Sequence, residues 1–267
     1  MIRGAVLGSP IAHSLSPTLH RAAFEYIGIS GSYEAIDVPS GTLHNFFLAH
    51  ESDFDYFSLT MPLKEEAHLL DVTCDELSLR LGSINTLYKR EGRWFGTSTD
   101  GSGFLAALDA QGYSTFSQAL VLGAGGTARA VAGALDGNVR TLTVMGRTST
   151  RRDALARCVE KSAFNYLPWI NDPEINSYDL IVNTTPAGAA DMLAENLPSL
   201  VSGLLFDVIY KPWPTVLASA WSDRSGKVIN GKELLLWQGL DQLALVLSLE
   251  IDRDSISAHL RGVLAQL

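Results

Sequence analysis

The stretch Ala119-Leu120-Val121-Leu122-Gly123-Ala124-Gly125-Gly126-Thr127-Ala128 decides how this chain reads. The apolar run predicts a buried strand over residues 119–123, and the residues after the glycines predict a helix from Thr127 to Leu135. Glycines between a strand and a helix allow a tight turn and let backbone N–H groups approach a pyrophosphate. The helix amino terminus adds partial positive charge there. Ala128 stands where a third glycine is usual and is still small enough for close helix–strand packing. A glycine-rich turn alone is a common structural device; the strand before it and the helix after it supply the context a dinucleotide fingerprint needs.

Downstream, the pattern predicts a strand at 141–145, a helix at 151–159 and further strands at 180–183 and 204–209. Repeated β-α-β units of this kind build a doubly wound sheet. Where the second strand ends, a fold that prefers NAD usually carries Asp or Glu for the ribose 2′-hydroxyl. Here the residues are Met145-Gly146-Arg147-Thr148-Ser149-Thr150-Arg151. Guanidinium groups match a 2′-phosphate with paired, charge-assisted hydrogen bonds, so the expected cofactor is NADP(H). Thr148 or Ser149 also suits a helix N-cap, a role compatible with phosphate binding.

Upstream, strands are predicted at 2–8, 32–38 and 56–60, alternating with helices at 18–27 and 39–48. Residues 81–88 and 93–96, joined by a turn at Glu91-Gly92, complete a first α/β unit with a mainly parallel sheet. A long helix at 232–251 is expected to return the chain to that unit, with 254–264 packing beside it. The predicted architecture is an N-terminal α/β substrate-binding and catalytic domain, residues 1–101 completed by 238–267. A C-terminal doubly wound Rossmann domain, residues 102–237, would bind NADP, with a cleft between the two that closes around ligands.

Composition narrows the function. The chain has 267 residues, 46% hydrophobic and 18% charged, with a net charge of −9. That is globular composition, and it disfavours nucleic-acid and anionic-membrane partners. Cys74 and Cys158 cannot form a disulfide framework and read as reduced thiols of a cytoplasmic protein. Residues 1–8 are too short an apolar run for a signal-peptide core. Residues 234–251 contain Gln238, Asp241, Gln242 and Glu250, so they read as a buried helix rather than a membrane span. The histidines at 13, 20, 44, 50, 68 and 259 form no metal-ligand pattern, and no metal is expected. A monomer or homodimer is the expected assembly.

Reduction of a carbonyl also needs a substrate pocket with a proton donor. Ser14 and Ser16 lie in the turn after the first strand, just before a helix, where two hydroxyls could grip a carboxylate. Lys64 follows Thr60-Met61-Pro62-Leu63 at a strand end, the place where open α/β sheets bind ligands. Asp100 ends another strand, in a position that also suits an N-cap. If the two side chains meet, a Lys–Asp pair provides a positioned ammonium oriented by a carboxylate, able to pass a proton to an alkoxide as hydride arrives.

Eight motifs in order give the chain a resemblance to the shikimate dehydrogenase family, covering residues 8–242. They are G-x-P-x-x-H-S-x-S-P at 8–17, T-x-P-x-K at 60–64, Asn85-Thr86, T-D-G-x-G at 99–103 and the turn at 123–128. N-T-[ST]-P-x-G follows at 183–188, D-x-x-Y-x-P-x-x-T at 207–215 and a glycine-to-glutamine element at 231–238. The resemblance implies NADPH-dependent reversible reduction of 3-dehydroshikimate to shikimate, a step of aromatic amino-acid biosynthesis. It also implies that Lys64 and Asp100 are the catalytic pair and that Ser14, Ser16, Thr60, Asn85 and Gln238 hold substrate. Tyr210 would line the pocket near the nicotinamide, and Gln242 would close it. At motif positions, Gly123, Ala124, Gly125, Gly126, Thr127, Ala128, Arg147, Thr148, Arg151, Thr184, Val208 and Gly231 would bind cofactor. The chain departs from the family at Ser58, Ser98 and Gly146, where Asn is frequent, and at Ala189, where Met is common; fewer amide donors reach the site as a result. Two alternatives remain open, a quinate/shikimate dehydrogenase that uses NAD and a non-catalytic dinucleotide-binding protein. The first is opposed by the strand end without a carboxylate, the second by the presence of both Lys64 and Asp100.

Overall fold

A computed structural model describes residues 1–171 and 173–267. It divides into two compact units, Met1–Gly103 with Leu235–Leu267, and Phe104–Leu234.

The first unit begins with β1 (Ile2–Gly8), α1 (Ser16–Tyr26), β2 (Gly31–Asp37), α2 (Leu43–His50) and β3 (Tyr56–Leu59). It continues through β4 (Thr73–Cys74), α3 (Glu76–Leu81), β5 (Thr86–Arg90) and β6 (Arg93–Thr97) to α4 (Asp100–Ala110), within which the chain passes into the second unit. The strand order is β2-β1-β3-β5-β6-β4. The β1, β2 and β3 strands run parallel, whereas β5 is antiparallel to both β3 and β6. This refines the mainly parallel sheet expected: the turn at Glu91-Gly92, with both residues at positive φ, closes a hairpin between β5 and β6. The reversal has a consequence for the site. The start of β5 lies at the same sheet edge as the ends of β1, β3 and β6, so Asn85 joins the residues that follow those strands.

Local chemistry sets several boundaries away from the predicted ones. Pro39 and Gly41, the latter at φ 80°, hold a turn, so α2 begins at Leu43 rather than at 39. The Asp75 side chain accepts from Ser78 N at 2.7 Å and caps α3, a helix the hydrophobic pattern missed because it is one and a half turns long. Beneath the sheet, Phe57 stacks on Trp94 at 5.4 Å between centroids, with Phe47 edge-on to both. Leu59, Leu63, Ile84 and Leu87 fill the space around them.

The second unit holds β7 (Gln118–Leu122), α5 (Gly126–Leu135), β8 (Thr141–Gly146), α6 (Arg152–Ala156), β9 (Ala163–Pro168), β10 (Leu180–Asn183), β11 (Leu204–Asp207), α7 (Val216–Asp223) and β12 (Lys227–Ile229). Its order, β12-β11-β10-β7-β8-β9, is parallel throughout and is the doubly wound order expected of a Rossmann sheet. The central strands β10 and β11 are buried at every position, as a parallel sheet covered on both faces requires. Neither β9 nor β12 was legible beforehand. Both are edge strands, β9 alternating between exposed and half-buried residues and β12 only three residues long. The chain returns to the first unit within α8 (Gly231–Leu247), which stops four residues short of its predicted end, just before Ser248 at φ 50°. It ends with α9 (Arg253–Ala265), capped by Asp252.

Candidate active site

In the first unit, backbone hydrogen bonds gather the candidate residues at one sheet edge. Leu59 N donates to the Asn85 carbonyl at 2.7 Å, Asn85 N to the Thr97 carbonyl at 3.1 Å and Ile84 N to the Lys64 carbonyl at 2.9 Å. The segment carrying Lys64, the start of β5 and the end of β6 are thereby held together. Lys64 Nζ lies 2.5 Å from Asp100 Oδ2, with the carboxylate almost fully buried and the ammonium partly open. Asp100 opens α4, where the helix terminus favours a negative charge.

Asn85, only 2% exposed, binds the other side of Asp100. Its Nδ2 donates to Asp100 Oδ1 at 2.8 Å, to Thr99 Oγ1 at 3.0 Å and to Gln238 Oε1 at 3.3 Å. Its Oδ1 accepts from Thr99 N at 2.8 Å and Thr86 Oγ1 at 2.7 Å. The structure thus brings Lys64, Asn85, Asp100 and Gln238 into one connected group. Ser14 lies just before α1 and Ser16 opens the helix, where Ser16 N donates to Ser14 Oγ at 3.3 Å. Thr60, half-buried, follows β3 and binds the Leu7 carbonyl through its own N–H at 2.9 Å, which places it at the end of β1.

Gln242 is 1% exposed, and its amide is engaged by protein groups. Oε1 accepts from Ser58 Oγ at 2.7 Å, while Nε2 donates to Thr86 Oγ1 at 2.9 Å and to the Asn85 carbonyl at 3.3 Å. Tyr33 Oη donates in turn to Ser58 Oγ at 2.5 Å. Beside Tyr33, His20 stacks ring on ring at 4.0 Å and meets Tyr56 Oη at 2.8 Å. Burial lowers the His20 pKa to about 3, with the Gln242 side chain opposing, so the imidazole is neutral. Burial likewise raises the pKa values of Tyr33 and Tyr56 and keeps both phenols protonated. Sequence reasoning missed Tyr33, Ser58, Thr86 and His20 as parts of this site. Ser58 had carried a signal as a position where an amide was expected, and Thr86 as part of the Asn85-Thr86 motif.

In the second unit, the turn after β7 has the geometry a pyrophosphate cradle requires. Gly123 sits at φ 107°, and a Cβ there would fall 2.6 Å from Thr184 Oγ1. That hydroxyl already donates to the Leu122 carbonyl at 2.7 Å, so no residue but glycine fits. Gly125 precedes α5 without a side-chain cap, and Ala128 is fully buried. Val208 follows β11, and Gly231 packs so closely on its carbonyl that a Cβ would fall 2.0 Å from the oxygen. Tyr210, half-buried, lies two residues beyond Val208.

Arg147, Thr148 and Arg151 are exposed beyond β8, and Arg151 Nη1 reaches the Ala124 carbonyl at 3.4 Å. Tyr166, from the unpredicted strand β9, donates to the Thr148 carbonyl at 2.6 Å. A Cβ on Gly146 would fall 2.2 Å from that hydroxyl, so Tyr166 occupies the space that the side chain frequent in the family would take. The buried Asp207 accepts from Thr215 Oγ1, Asn183 Nδ2 and Ile209 N; burial raises its pKa and these bonds oppose the rise. Among the described residues no group of three or more His, Cys, Asp or Glu side chains could hold a metal ion. Among the described residues, no helix is long and apolar enough to cross a membrane.

A doubly wound sheet with a glycine turn after its first strand, in one chain with an α/β unit carrying a Lys–Asp pair, has the architecture of a dinucleotide-dependent oxidoreductase acting on a CH–OH group. The chain belongs to the shikimate dehydrogenase family. Residues 6–87 match the family model described as the shikimate dehydrogenase substrate binding domain, and residues 106–207 match shikimate / quinate 5-dehydrogenase. A shikimate dehydrogenase (NADP(+)) of Thermus thermophilus is 42% identical over 244 residues, 90% of this chain and 90% of that protein. The crystal structure of the Thermus thermophilus shikimate 5-dehydrogenase in complex with NADP(H) and shikimate has a TM-score of 0.84. It is 36% identical, with coverage of 98% of this chain and 100% of that one. The Mycobacterium tuberculosis shikimate dehydrogenase has a TM-score of 0.88 at 32% identity, with both chains fully covered.

Proposed function

We propose that the chain catalyses the reversible NADPH-dependent reduction of 3-dehydroshikimate to shikimate. The observation that carries this reading is the Lys64–Asp100 pair at 2.5 Å, held by Asn85 at a strand edge otherwise lined with hydroxyls and amides. Residues 1–101 with 238–267 form the substrate domain of this reading, and residues 102–237 the NADP domain.

The residues fit the cofactor. Gly123, Ala124, Gly125, Gly126, Thr127 and Ala128 hold the pyrophosphate. Arg147, Thr148 and Arg151 take the 2′-phosphate, and Thr184, Val208 and Gly231 shape the nicotinamide side. When bound, the reduced nicotinamide supplies the hydride. Ser14 and Ser16 hold the substrate carboxylate, while Thr60, Asn85 and Gln238 hold hydroxyls, with Tyr210 lining the pocket. Lys64 donates a proton to the oxygen that gains negative charge, and Asp100 keeps the ammonium aimed at it. In the oxidative direction the neutral Lys64 amine takes that proton back.

An acidic chain whose local cations sit at the cofactor turn fits a cytoplasmic monomer or homodimer with a small-molecule substrate and no nucleic-acid or membrane partner. Initial rates at 340 nm with shikimate and with quinate, each against NADP+ and NAD+, test the reading. A preference for shikimate with NADP+ is expected. Faster turnover of quinate with NAD+ would establish the alternative dehydrogenase, and no turnover with any pair would establish a binding protein.

A further inference from the structure

We infer that Gln242 is a positioning residue for the Lys64–Asp100 pair, acting through Thr86 and Asn85 rather than by touching substrate. The inference rests on the reading of Asn85 and Asp100 given above. Its basis is that every bond between Tyr33 and Lys64 has a direction fixed by chemistry. The Asn85 carbonyl can only accept, so the Gln242 atom facing it is the amide nitrogen. Gln242 Oε1 then faces Ser58, whose single proton goes to it, and Ser58 can only accept from Tyr33.

On the other side, Thr86 Oγ1 accepts the Gln242 amide and must direct its own proton to Asn85 Oδ1. Thr99 N, which can only donate, reaches the same oxygen. With its oxygen doubly engaged, Asn85 turns its amino group to Asp100 Oδ1, leaving Oδ2 to Lys64. The chain Tyr33–Ser58–Gln242–Thr86–Asn85–Asp100 is therefore an ordered relay of donors, ending on a carboxylate that accepts from Lys64 on its other oxygen. Gln242 is the member that joins α8 to it from the far side of Asn85. Every group from Tyr33 to Asp100 is at most 6% exposed, so water does not substitute for a missing partner. Both ends of the Gln242 amide are bonded to protein at 1% exposure, and none of its hydrogen-bond partners is Lys64 or Asp100.

The test measures steady-state rates with shikimate and NADP+ for the full-length wild type and for Gln242→Met, Gln242→Glu, Thr86→Val, Thr86→Ser and the double variant Gln242→Met/Thr86→Val. Gln242→Met preserves length and deletes the bonds to Ser58, Thr86 and the Asn85 carbonyl. It should lower kcat about 10-fold, a cost in keeping with slight misplacement of a catalytic group. The KM for shikimate and the NADPH dissociation constant should stay within about twofold. Gln242→Glu keeps the shape but attracts the Thr86 proton, so it should lower kcat by at least as much. Thr86→Val should match Gln242→Met, Thr86→Ser should recover most of that loss, and the double variant should be no slower than either single one.

A rise in KM with kcat unchanged would make Gln242 a substrate ligand and overturn the inference. So would lowered thermal stability with both constants unchanged, or losses that multiply in the double variant. An inactive wild type would overturn the functional reading and this inference together, whereas an active wild type with unaltered kcat in the variants would overturn this inference alone.

Discussion

The polar groups around Asn85 and those around Gly123 are held by opposite means. In the first unit, side chains bind side chains: Ser58, Thr86, Asn85, Asp100 and Gln242 are nearly sealed from solvent and satisfy one another. In the second, glycine conformation shapes the turn, and Arg147, Thr148 and Arg151 stand exposed, with bonds from Tyr166 to the Thr148 carbonyl and from Arg151 to the Ala124 carbonyl. A group that transfers a proton must be aimed before substrate arrives, because reorientation would add to the barrier. A charged tail such as a 2′-phosphate is captured by cations that adjust to it, at little cost to the rate. Precision is thus concentrated where atoms react.

Variants that separate the two regions should differ in which constant they change. The largest effect is expected from Lys64→Ala, which should lower kcat by about 10²–10⁴-fold, the usual contribution of a positioned proton donor, while NADPH affinity is retained. Stopped-flow turnover and fluorescence titration of NADPH would check both halves, and near wild-type turnover would break the comparison. Arg147→Ala should do the reverse, weakening NADPH by about 10–100-fold with NADH almost unaffected, as expected for lost charge-assisted bonds. Equal losses for both cofactors would place Arg147 outside the 2′-phosphate site.

A smaller effect concerns pH. His20 is neutral in the fold with its pKa lowered to about 3, whereas an unfolded histidine titrates near 6.5. Below that value the unfolded chain binds a proton that the folded chain refuses, so this group lowers stability as pH falls from about 6.5 toward 3, by about 1 kcal/mol per pH unit. Urea midpoints measured at pH 7, 5.5 and 4.5 should therefore fall more steeply for the wild type than for His20→Gln. Parallel slopes would mean that His20 is protonated in the fold. Smallest of all, Thr215→Ala removes the cap of α7 and a donor to the buried Asp207, and should cost about 1–2 kcal/mol with kcat unchanged.

Reading the residues before their structure succeeded where a local pattern has a single physical meaning. The run into Gly123-Ala124-Gly125-Gly126 marks a strand, a turn and a helix because glycine tolerates φ 107° and a Cβ would strike Thr184. The same reading missed β9 and β12, edge strands that lack the buried apolar run that marks the inner strands of a parallel sheet. It gave no sign that the Gln242 amide meets Ser58 and Thr86, since one glutamine on an apolar helix looks like another.

What the sequence alone determined is the set of chemical types: a phosphate turn without a neighbouring carboxylate, a lysine and an aspartate at strand ends, two serines before a helix. Only the tertiary structure decided that Lys64 meets Asp100, that antiparallel β5 brings Asn85 to the same edge, and that Tyr33, Ser58 and Gln242 stand behind them. The reason is one of range. Backbone preference acts over a few neighbouring residues, whereas these hydrogen bonds join groups as many as 184 positions apart, and their directions follow only once packing has excluded water.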